Sequence, residues 1–322
     1  MSNNLIQPLF ERYYRAGVQS HDMSSHWHEY SSRFKVQIDA DGHLTTLEGA
    51  GFGEMQQRSV VRRLVQELSI VSHLAHLPQR RRLMALRPLL ARTCRAMGLA
   101  VSLDGFRQLC TLDLLMQSVA AAALPRPLRV LIIGDGFGVL SCLVKSQFPD
   151  ASIVLVDLGQ TLLFQASYCP KAHANRRHAL AGTPGADEAE FVYCPSDTLE
   201  AIDHRRFDVA INVASMQEMD PSTVAAYFVF LRTHLAAANL FYCCNRQSKT
   251  LPDGQVSAID AYPWSPQDRI LESGLCPWHQ YFLTAGIAAQ GPRIFGLPVP
   301  GVSYYDGPHY HRLVQLHTES LS

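Results

Sequence analysis

A glycine-rich turn holds the residues whose spacing first suggests chemistry. Residues 130–133 are apolar and predict a buried strand, and they run directly into Gly134, Gly136 and Gly138. Glycines at alternate positions let the backbone pass close beneath a bound molecule, because a Cβ there would occupy the space of the ligand. The N–H groups of the following helix would point at the same molecule. The turn therefore predicts a ligand-binding loop.

A carboxylate stands where it could complete this site. Residues 152–157 form a second apolar stretch that ends on Asp157, 23 residues beyond Gly134. In a β-α-β unit, an acid at the tip of the second strand can accept hydrogen bonds from both hydroxyls of a ribose. The combination of turn and carboxylate predicts a cofactor that contains a nucleoside.

The glycine spacing distinguishes between nucleoside cofactors. Dinucleotide-binding turns carry G-x-G-x-x-G, whereas this chain has G-x-G-x-G, and no Gly-Lys-Ser/Thr of a phosphate-binding loop follows. The shorter form suits S-adenosylmethionine, which has no phosphate to cradle. A nicotinamide-dependent oxidoreductase is an alternative of another class, although it would need the longer spacing. A turn that only joins a strand to a helix is the remaining interpretation.

Three later strands are expected to bring polar residues to the same edge of the sheet, because residues beyond the carboxyl ends of parallel strands face the ligand crevice. The predicted strands are residues 191–194, 207–213 and 239–244. The polar residues at or beyond their tips are Asp197, Asn212, Ser215, Gln217, Glu218, Asn245 and Arg246. Asp197 is expected either to bond an adenine amine or to cap the helix that follows it.

The elements that position these residues follow from the hydrophobic pattern. Apolar strands alternate with helical segments from residue 125 onward, which predicts an α/β fold with a doubly wound, Rossmann-like parallel sheet. Residues 311–316 are expected to close that sheet as an antiparallel strand. A proline-rich connector at 124–127 separates this domain, residues 125–322, from the region before it.

Residues 1–124 are predicted to form an all-helical or mainly helical extension that acts as a lid, binds substrate or mediates oligomerisation. Helical spacing predicts two buried faces, one with Val61, Leu64, Val65 and Leu68, the other with Leu83, Leu86 and Leu90. Asp104 is the expected N-cap of a third helix. Arginines are frequent between residues 58 and 95, which favours a solvated face over a phosphate site and, last, over nucleic-acid binding.

Composition narrows the partners and the compartment. Lys and Arg number 28, as do Asp and Glu, so bulk charge predicts neither a nucleic-acid nor a membrane partner. A secretory leader pattern and a membrane-length apolar run are not visible, so a cytoplasmic protein is expected. The eight cysteines include no C-x-x-C pair and are expected to be buried free thiols. His26 and His28 are too few ligands to predict a metal site.

Several blocks together resemble the sugar O-methyltransferase family, which belongs to the class I S-adenosylmethionine-dependent fold. The blocks span about residues 125–250 and comprise residues 133–138, Asp157-Leu158 with residues 161–166, Asn212, Ser215, residues 217–219, Phe241-Tyr242 and Asn245-Arg246. With the strand-tip argument, the resemblance implies that S-adenosylmethionine contacts Gly134, Asp135, Gly136, Gly138, Asp157, Leu158, Asp197 and Asn212. It implies that the acceptor contacts Ser215, Gln217, Asn245 and Arg246.

Methyl transfer from a sulfonium is an in-line displacement, so the enzyme must align the reacting atoms and exclude water. A sugar hydroxyl also needs a general base within hydrogen-bond reach. We hypothesise that Glu218 or His279 is that base. Glu218 is placed by the Ser-x-Gln-Glu-Met block, whereas His279 is chosen by residue type and an expected position in the pocket wall.

The chain departs from the family at one position. The family has a carboxylate two residues before the first glycine, where it helps to hold the methionine end of the cofactor, and this chain has Ile132. Three alternatives follow: Asp135 takes over, other groups hold the cofactor amine, or cofactor binding is weakened or lost.

Taken together, the motifs and the resemblance predict O-methylation of a sugar or related small metabolite, by a chain that could be a homo-oligomer. The alternative is a methyltransferase-like fold serving as a non-catalytic binding or assembly module.

Overall fold

The computed structural model describes residues 3–20, 23–39, 43–49, 55–56, 59–283, 293–294, 296–298, 301–304 and 307–318. The helices in these ranges are α1 (Asn3–Phe10), α2 (Ser25–Ser31), α3 (Val60–His76), α4 (Arg80–Met97), α5 (Leu103–Ala121), α6 (Val139–Gln147), α7 (Gly159–Ala172) and α8 (Pro221–His234). A π-helical turn, Glu11–Arg15, continues α1. None of the described helices is both long and apolar enough to cross a membrane.

The strands fall into one large sheet and several small pairs. The large sheet contains β3 (Arg129–Ile133), β4 (Ser152–Asp157), β5 (His178–Leu180), β6 (Phe191–Pro195), β7 (Phe207–Val213), β8 (Leu235–Arg246), β11 (Arg269–Leu275) and β16 (His309–Gln315). The pairs are formed by β1 (Lys35–Ile38) with β2 (Leu44–Glu48), β9 (Ser248–Thr250) with β10 (Val256–Ala258), β12 (Tyr281–Leu283) with β15 (Val302–Tyr304), and β13 (Arg293–Ile294) with β14 (Leu297–Pro298).

The large sheet is ordered β11-β16-β8-β7-β3-β4-β6-β5. Strands β5, β6, β4, β3, β7 and β8 are parallel, and β16 runs antiparallel to both β8 and β11. After β3 the chain builds one side of the sheet and then crosses to build the other, so a crevice opens where the direction of winding reverses. The predicted doubly wound fold is confirmed, as is its closing antiparallel strand.

Two hydrophobic cores cover the two faces of the sheet. Side chains alternate along β3, so that Val130 and Ile132 face one core while Leu131 and Ile133 face the other. The first core also contains residues of α1, α4, α5, α6 and α7, whereas the second contains α8. The N-terminal region therefore shares a core with the sheet, and it includes the β1–β2 hairpin beside its helices. A domain boundary at 124/125 stays a prediction.

The burial predicted for α3 is wrong. The face with Val61, Leu64, Val65 and Leu68 is 39 to 71% exposed, and the buried residues of this helix are Gln66, Ile70, His73 and Leu74. Tertiary contacts select that other face, since the Gln66 side chain accepts a hydrogen bond from the backbone of Leu103. On α4, Leu83 and Leu90 are buried as predicted.

Two smaller predictions have different outcomes. Helix α5 is capped by Ser102, whose hydroxyl accepts from the N–H of Gly105, so the predicted cap at Asp104 is wrong. The Asp104 carboxylate instead accepts from Arg107 at 2.6 Å, because the side chain of Asp104 already lies within the first turn. All eight cysteines are buried and free, as expected.

Candidate active site

A cavity of about 420 Å³ opens at the carboxyl edge of the sheet. The N-terminal region contributes α2 and the start of α5 to its walls, and the sheet contributes the loops after β3, β7 and β8. The predicted site residues that line it are Gly134, Asp135, Gly136, Asp157, Ser215, Gln217, Glu218, Arg246 and His279. The structure does not bring Gly138, Leu158, Asp197, Asn212 or Asn245 to its walls.

The glycine turn adopts the conformation that its residue types require. Gly134, Gly136 and Gly138 have φ angles of 74°, 53° and 82°, which lie in the left-handed region that residues with a Cβ rarely adopt. A Cβ on Gly134 would also lie 2.1 Å from the hydroxyl oxygen of Ser215. The first glycine is therefore needed for the close approach of the loop after β7, and not for backbone conformation alone.

The Asp135 carboxylate caps the helix that follows the turn. It accepts hydrogen bonds from the N–H groups of Leu140 and Ser141 at 3.2 and 2.8 Å. Burial raises the pKa of Asp135 to about 6, although these hydrogen bonds oppose the increase. Ile132, by contrast, lies wholly in the core. Asp135 is thus the acid of the turn that borders the cavity, and its main contacts hold α6.

The Asp157 carboxylate ends β4 at the cavity wall. One of its oxygens accepts from the N–H of Leu158 at 2.9 Å, and the other accepts from the amide of Gln165 at 2.6 Å. Burial raises the pKa of Asp157 to about 8 despite both hydrogen bonds. Such a carboxyl group gains most from a ligand that donates further hydrogen bonds to it, because they would stabilise its ionised form.

Asp197 is occupied by the N-terminal segment. Its carboxylate accepts from the Arg12 guanidinium at 2.8 Å and from the Tyr13 hydroxyl at 2.6 Å. The Tyr13 ring packs on the first residue of α7, where a Cβ on Gly159 would lie 2.2 Å from it. These contacts place the π-helical turn over the tips of β4 and β6, so that Asp197 lies under that turn and outside the cavity.

Asn212 and Asn245 are buried between strand tips. The Asn212 amide donates to the carbonyl of Ile133 at 2.9 Å, and its oxygen accepts from the Asn245 amide at 2.9 Å. The Asn245 oxygen in turn accepts from the N–H of Gln217 at 3.0 Å. This chain of hydrogen bonds joins β3, β7 and β8 and positions Gln217, so the two asparagines shape the wall and do not form it.

Glu218 lies in an ion-paired cluster. Its Oε1 accepts from Nζ of Lys249 at 2.9 Å and lies 3.4 Å from Nε2 of His26. Burial would raise the pKa of Glu218, but the hydrogen bond from His26 and the charge of Lys249 lower it to about 2. A carboxylate with such a low pKa is a weak base. Glu218 is therefore better suited to orient His26 and Lys249 than to accept a proton.

His279 does reach the cavity wall, as the sequence predicted. Its ring stacks on His309 with centroids 4.9 Å apart. Burial lowers the pKa of His279 well below its usual value, and nearby Arg107 adds to the effect. Burial likewise lowers the pKa of His309 to about 2. Both imidazoles are therefore neutral at physiological pH.

Sequence reasoning missed much of the wall. His26, Trp27 and Tyr30 on α2 cover the cavity, and Lys249 and Arg107 line it. His26, Trp27 and Tyr30 belong to the N-terminal region for which a lid was one predicted role, but no spacing in the sequence linked His26 to Glu218, 192 residues away. Lys249, a single lysine after β8, belongs to no motif that could have predicted its position in the wall.

Known proteins give distant similarities. No family model matches the chain, and no curated protein matches it. A solved S-adenosylmethionine-dependent methyltransferase from Clostridium acetobutylicum ATCC 824 is 15% identical and covers 63% of this chain and 89% of its own, with a TM-score of 0.39. TehB from Haemophilus influenzae is 15% identical, with 62% and 61% covered and a TM-score of 0.36. Precorrin-6y C5,15-methyltransferase from Geobacter metallireducens GS-15 is 12% identical, with 63% and 86% covered and a TM-score of 0.36.

Proposed function

We propose that this chain is an S-adenosylmethionine-dependent methyltransferase that methylates a hydroxyl of a sugar or related small metabolite. One observation carries the proposal: a left-handed glycine turn and the Asp157 carboxylate border the same cavity at the carboxyl edge of a doubly wound sheet. That arrangement is suited to a nucleoside, because the turn admits a ligand close to the backbone and the carboxylate accepts from ribose hydroxyls.

The residues present fit this cofactor. A cavity of about 420 Å³ is within the usual range for small-molecule sites. Asp157 would hold the ribose hydroxyls, and Gly134 and Gly136 would lie beneath the nucleoside. The cofactor, when bound, supplies a methyl group on a positively charged sulfur. Because position 132 is an isoleucine and not an acid, another group would have to hold the amine of the methionine end. Asp135 is the candidate, since it is the buried acid of the turn beside the cavity.

We assign the proton transfer to His26 oriented by Glu218. Nε2 of His26 faces the Glu218 carboxylate, which leaves Nδ1 to accept a proton from an acceptor hydroxyl. The carboxylate would stabilise the imidazolium that forms, and Lys249 keeps that carboxylate ionised. The oxygen that gives its proton to His26 would then be the nucleophile for the methyl group that the bound cofactor would supply, and the electron pair of the C–S bond would go to sulfur. This proposal replaces both bases hypothesised from the sequence, Glu218 and His279, and gives Glu218 a positioning role.

The cavity wall supports a polyhydroxylated acceptor. Gln66 and Gln108 line it, and Oε1 of Gln108 is buried with no hydrogen-bond partner among the described residues, so a ligand hydroxyl could donate to it. Trp27 and Tyr30 present aromatic rings from α2. Amide groups for hydroxyls and flat rings for an apolar sugar face are the chemistry that a saccharide needs.

Isothermal titration with S-adenosylmethionine, S-adenosylhomocysteine and NAD tests the cofactor. We expect micromolar binding of both adenosyl ligands and none of NAD. Asp157→Ala should abolish it, whereas Asp187→Ala, a carboxylate exposed in a loop away from the cavity, should leave it unchanged. Failure of both adenosyl ligands to bind would overturn the proposal and favour a non-catalytic binding module, and binding of NAD would favour an oxidoreductase.

A further inference from the structure

A second cluster of chemically active side chains lies behind the cavity wall. One ligand atom from each of Cys244, Cys276 and His279 lies within 4.8 Å of the other two, and all three residues are buried. Sγ of Cys244 is 3.9 Å from Nδ1 of His279. The residues come from β8 and from the turn after β11, so the fold and not the local sequence brings them together.

The turn that carries two of these residues is held firmly. Cys276 and His279 are three residues apart, and the N–H of His279 donates to the carbonyl of Cys276 at 3.3 Å. The Arg107 guanidinium, buried on α5, donates to the carbonyls of Trp278 and Tyr281 on either side of His279. The N–H of Cys276 donates to the carbonyl of His309 at 2.8 Å. The side chains of the turn are thus preorganised toward β8.

The neighbouring cysteine of β8 faces the other way. Cys244 belongs to the core that also contains Cys276, whereas Cys243 belongs to the core on the opposite face of the sheet. Sγ of Cys243 accepts from the Asn245 amide at 3.1 Å. The vicinal pair therefore offers one candidate ligand and one matched control.

The distances suit a tetrahedral metal ion. Zinc binds thiolate sulfur at about 2.3 Å and imidazole nitrogen at about 2.0–2.1 Å, which places the two ligand atoms about 3.6 Å apart in a tetrahedron. The observed 3.9 Å between Cys244 and His279 is a few tenths of an ångström longer. Two thiolates and an imidazole form a soft set that selects zinc over magnesium or calcium.

We propose that Cys244, Cys276 and His279 bind one Zn²⁺ ion, with a fourth ligand entering from the cavity side, where His279 and His309 form part of the wall. Binding requires both cysteines to release their protons, and the resulting two thiolate charges balance the charge of the ion. The ion would link β8 to the turn after β11 and fix His279 at the cavity. This site stands independently of methyl transfer, and the sequence pattern alone did not predict it.

Metal analysis of the full chain, purified without chelators and under reducing conditions, tests the site. We expect one zinc per chain by mass spectrometry of the metal content. Cys244→Ser and Cys276→Ser should each lose it, and Cys243→Ser should retain it. Zinc retained at full occupancy in Cys244→Ser or Cys276→Ser would overturn the proposal.

A second measurement does not depend on the variants folding. Metal-free wild-type protein should gain thiolate-to-cobalt charge-transfer bands and intense visible bands of tetrahedral geometry when Co²⁺ is added. Excess Zn²⁺ should raise the Tm of the same metal-free protein by roughly 5 °C or more. Absence of the cobalt bands together with an unchanged Tm would overturn the proposal.

Discussion

The Glu218 carboxylate and the Lys249 ammonium lie 2.9 Å apart in the wall of the cavity, with side chains only 17% and 11% exposed. Each charge would be costly to bury alone, and each stabilises the other. Because His26 and Lys249 together lower the pKa of Glu218 to about 2, this carboxylate stays ionised at every pH at which the protein would work. The Lys249 ammonium therefore keeps the Glu218 carboxylate charged, and this carboxylate orients the His26 ring.

Glu218→Gln should destabilise the protein by about 2–4 kcal/mol at pH 7, because it leaves the Lys249 charge buried without its partner. The folded-state pKa of Glu218 is lowered, so its contribution is present above about pH 4.5 and is lost as the pH falls toward 2. Urea unfolding at pH 7 and at pH 3 measures both effects. The double variant Glu218→Gln/Lys249→Met should recover much of the loss, and an equal loss at both pH values would contradict this account.

His26→Ala should lower kcat by roughly 10²- to 10⁴-fold while the Kd of S-adenosylhomocysteine changes little, since a general base acts in the chemical step. His28→Ala is the matched control, because His28 lies two residues away on α2 and is exposed. Single-turnover kinetics with a hydroxylated acceptor would measure the difference. Equal activities of the two variants would remove His26 from the mechanism.

Affinity for S-adenosylhomocysteine should rise between pH 6 and pH 8, by up to about tenfold per pH unit. The pKa of Asp157 in the free protein is raised to about 8, so the group is protonated below that pH, and ribose hydroxyls favour its ionised form. Titration calorimetry across this range, in buffers of different ionisation enthalpy, would also detect the proton released. A flat profile would show that Asp157 does not contact the ligand.

Asp157→Asn should make the protein more stable than wild type at pH 9, by about 2–5 kcal/mol, while it impairs cofactor binding. Because the pKa of Asp157 is raised in the folded protein, protonated Asp157 contributes to the free energy of unfolding. This contribution is complete below about pH 4 and is lost as the pH rises through 8. The neutral amide of the variant does not ionise, so the variant does not lose stability in this way. Thermal unfolding at pH 4 and pH 9 measures the crossover. A variant less stable than wild type at pH 9 would contradict the prediction.

Gly134→Ala should cost clearly more stability than Gly98→Ala. The two glycines have nearly identical φ angles, 74° and 75°, so both variants bear a backbone cost of about 1–2 kcal/mol. Only at Gly134 does the new methyl group meet the Ser215 side chain, whereas nothing lies within 4 Å at Gly98. The free energies of unfolding measure the difference, and Gly134→Ala/Ser215→Gly should reduce it. Equal costs in the two single variants would show that Ser215 does not constrain the turn.

Local sequence determined the frame of the molecule. The apolar strands, the alternation of strand and helix, the glycine turn and the carboxylate at the tip of β4 could all be predicted, because each depends on residues within one β-α-β unit. The same reasoning placed Gln217, Glu218 and Arg246 correctly at the crevice, since parallel strands end at a common edge.

Tertiary structure decided what contacts what. Helical periodicity identified an apolar stripe on α3, but packing buried the opposite face, since periodicity does not say which neighbour a face will meet. Asp197 lies beyond a strand tip as expected, yet Arg12 and Tyr13, 185 and 184 residues away, take its hydrogen bonds. The pairing of His26 with Glu218 and the convergence of Cys244 with Cys276 and His279 also depend on contacts between distant segments. These contacts form only when the chain folds, and they cannot be predicted from local patterns because the residues are far apart in the sequence.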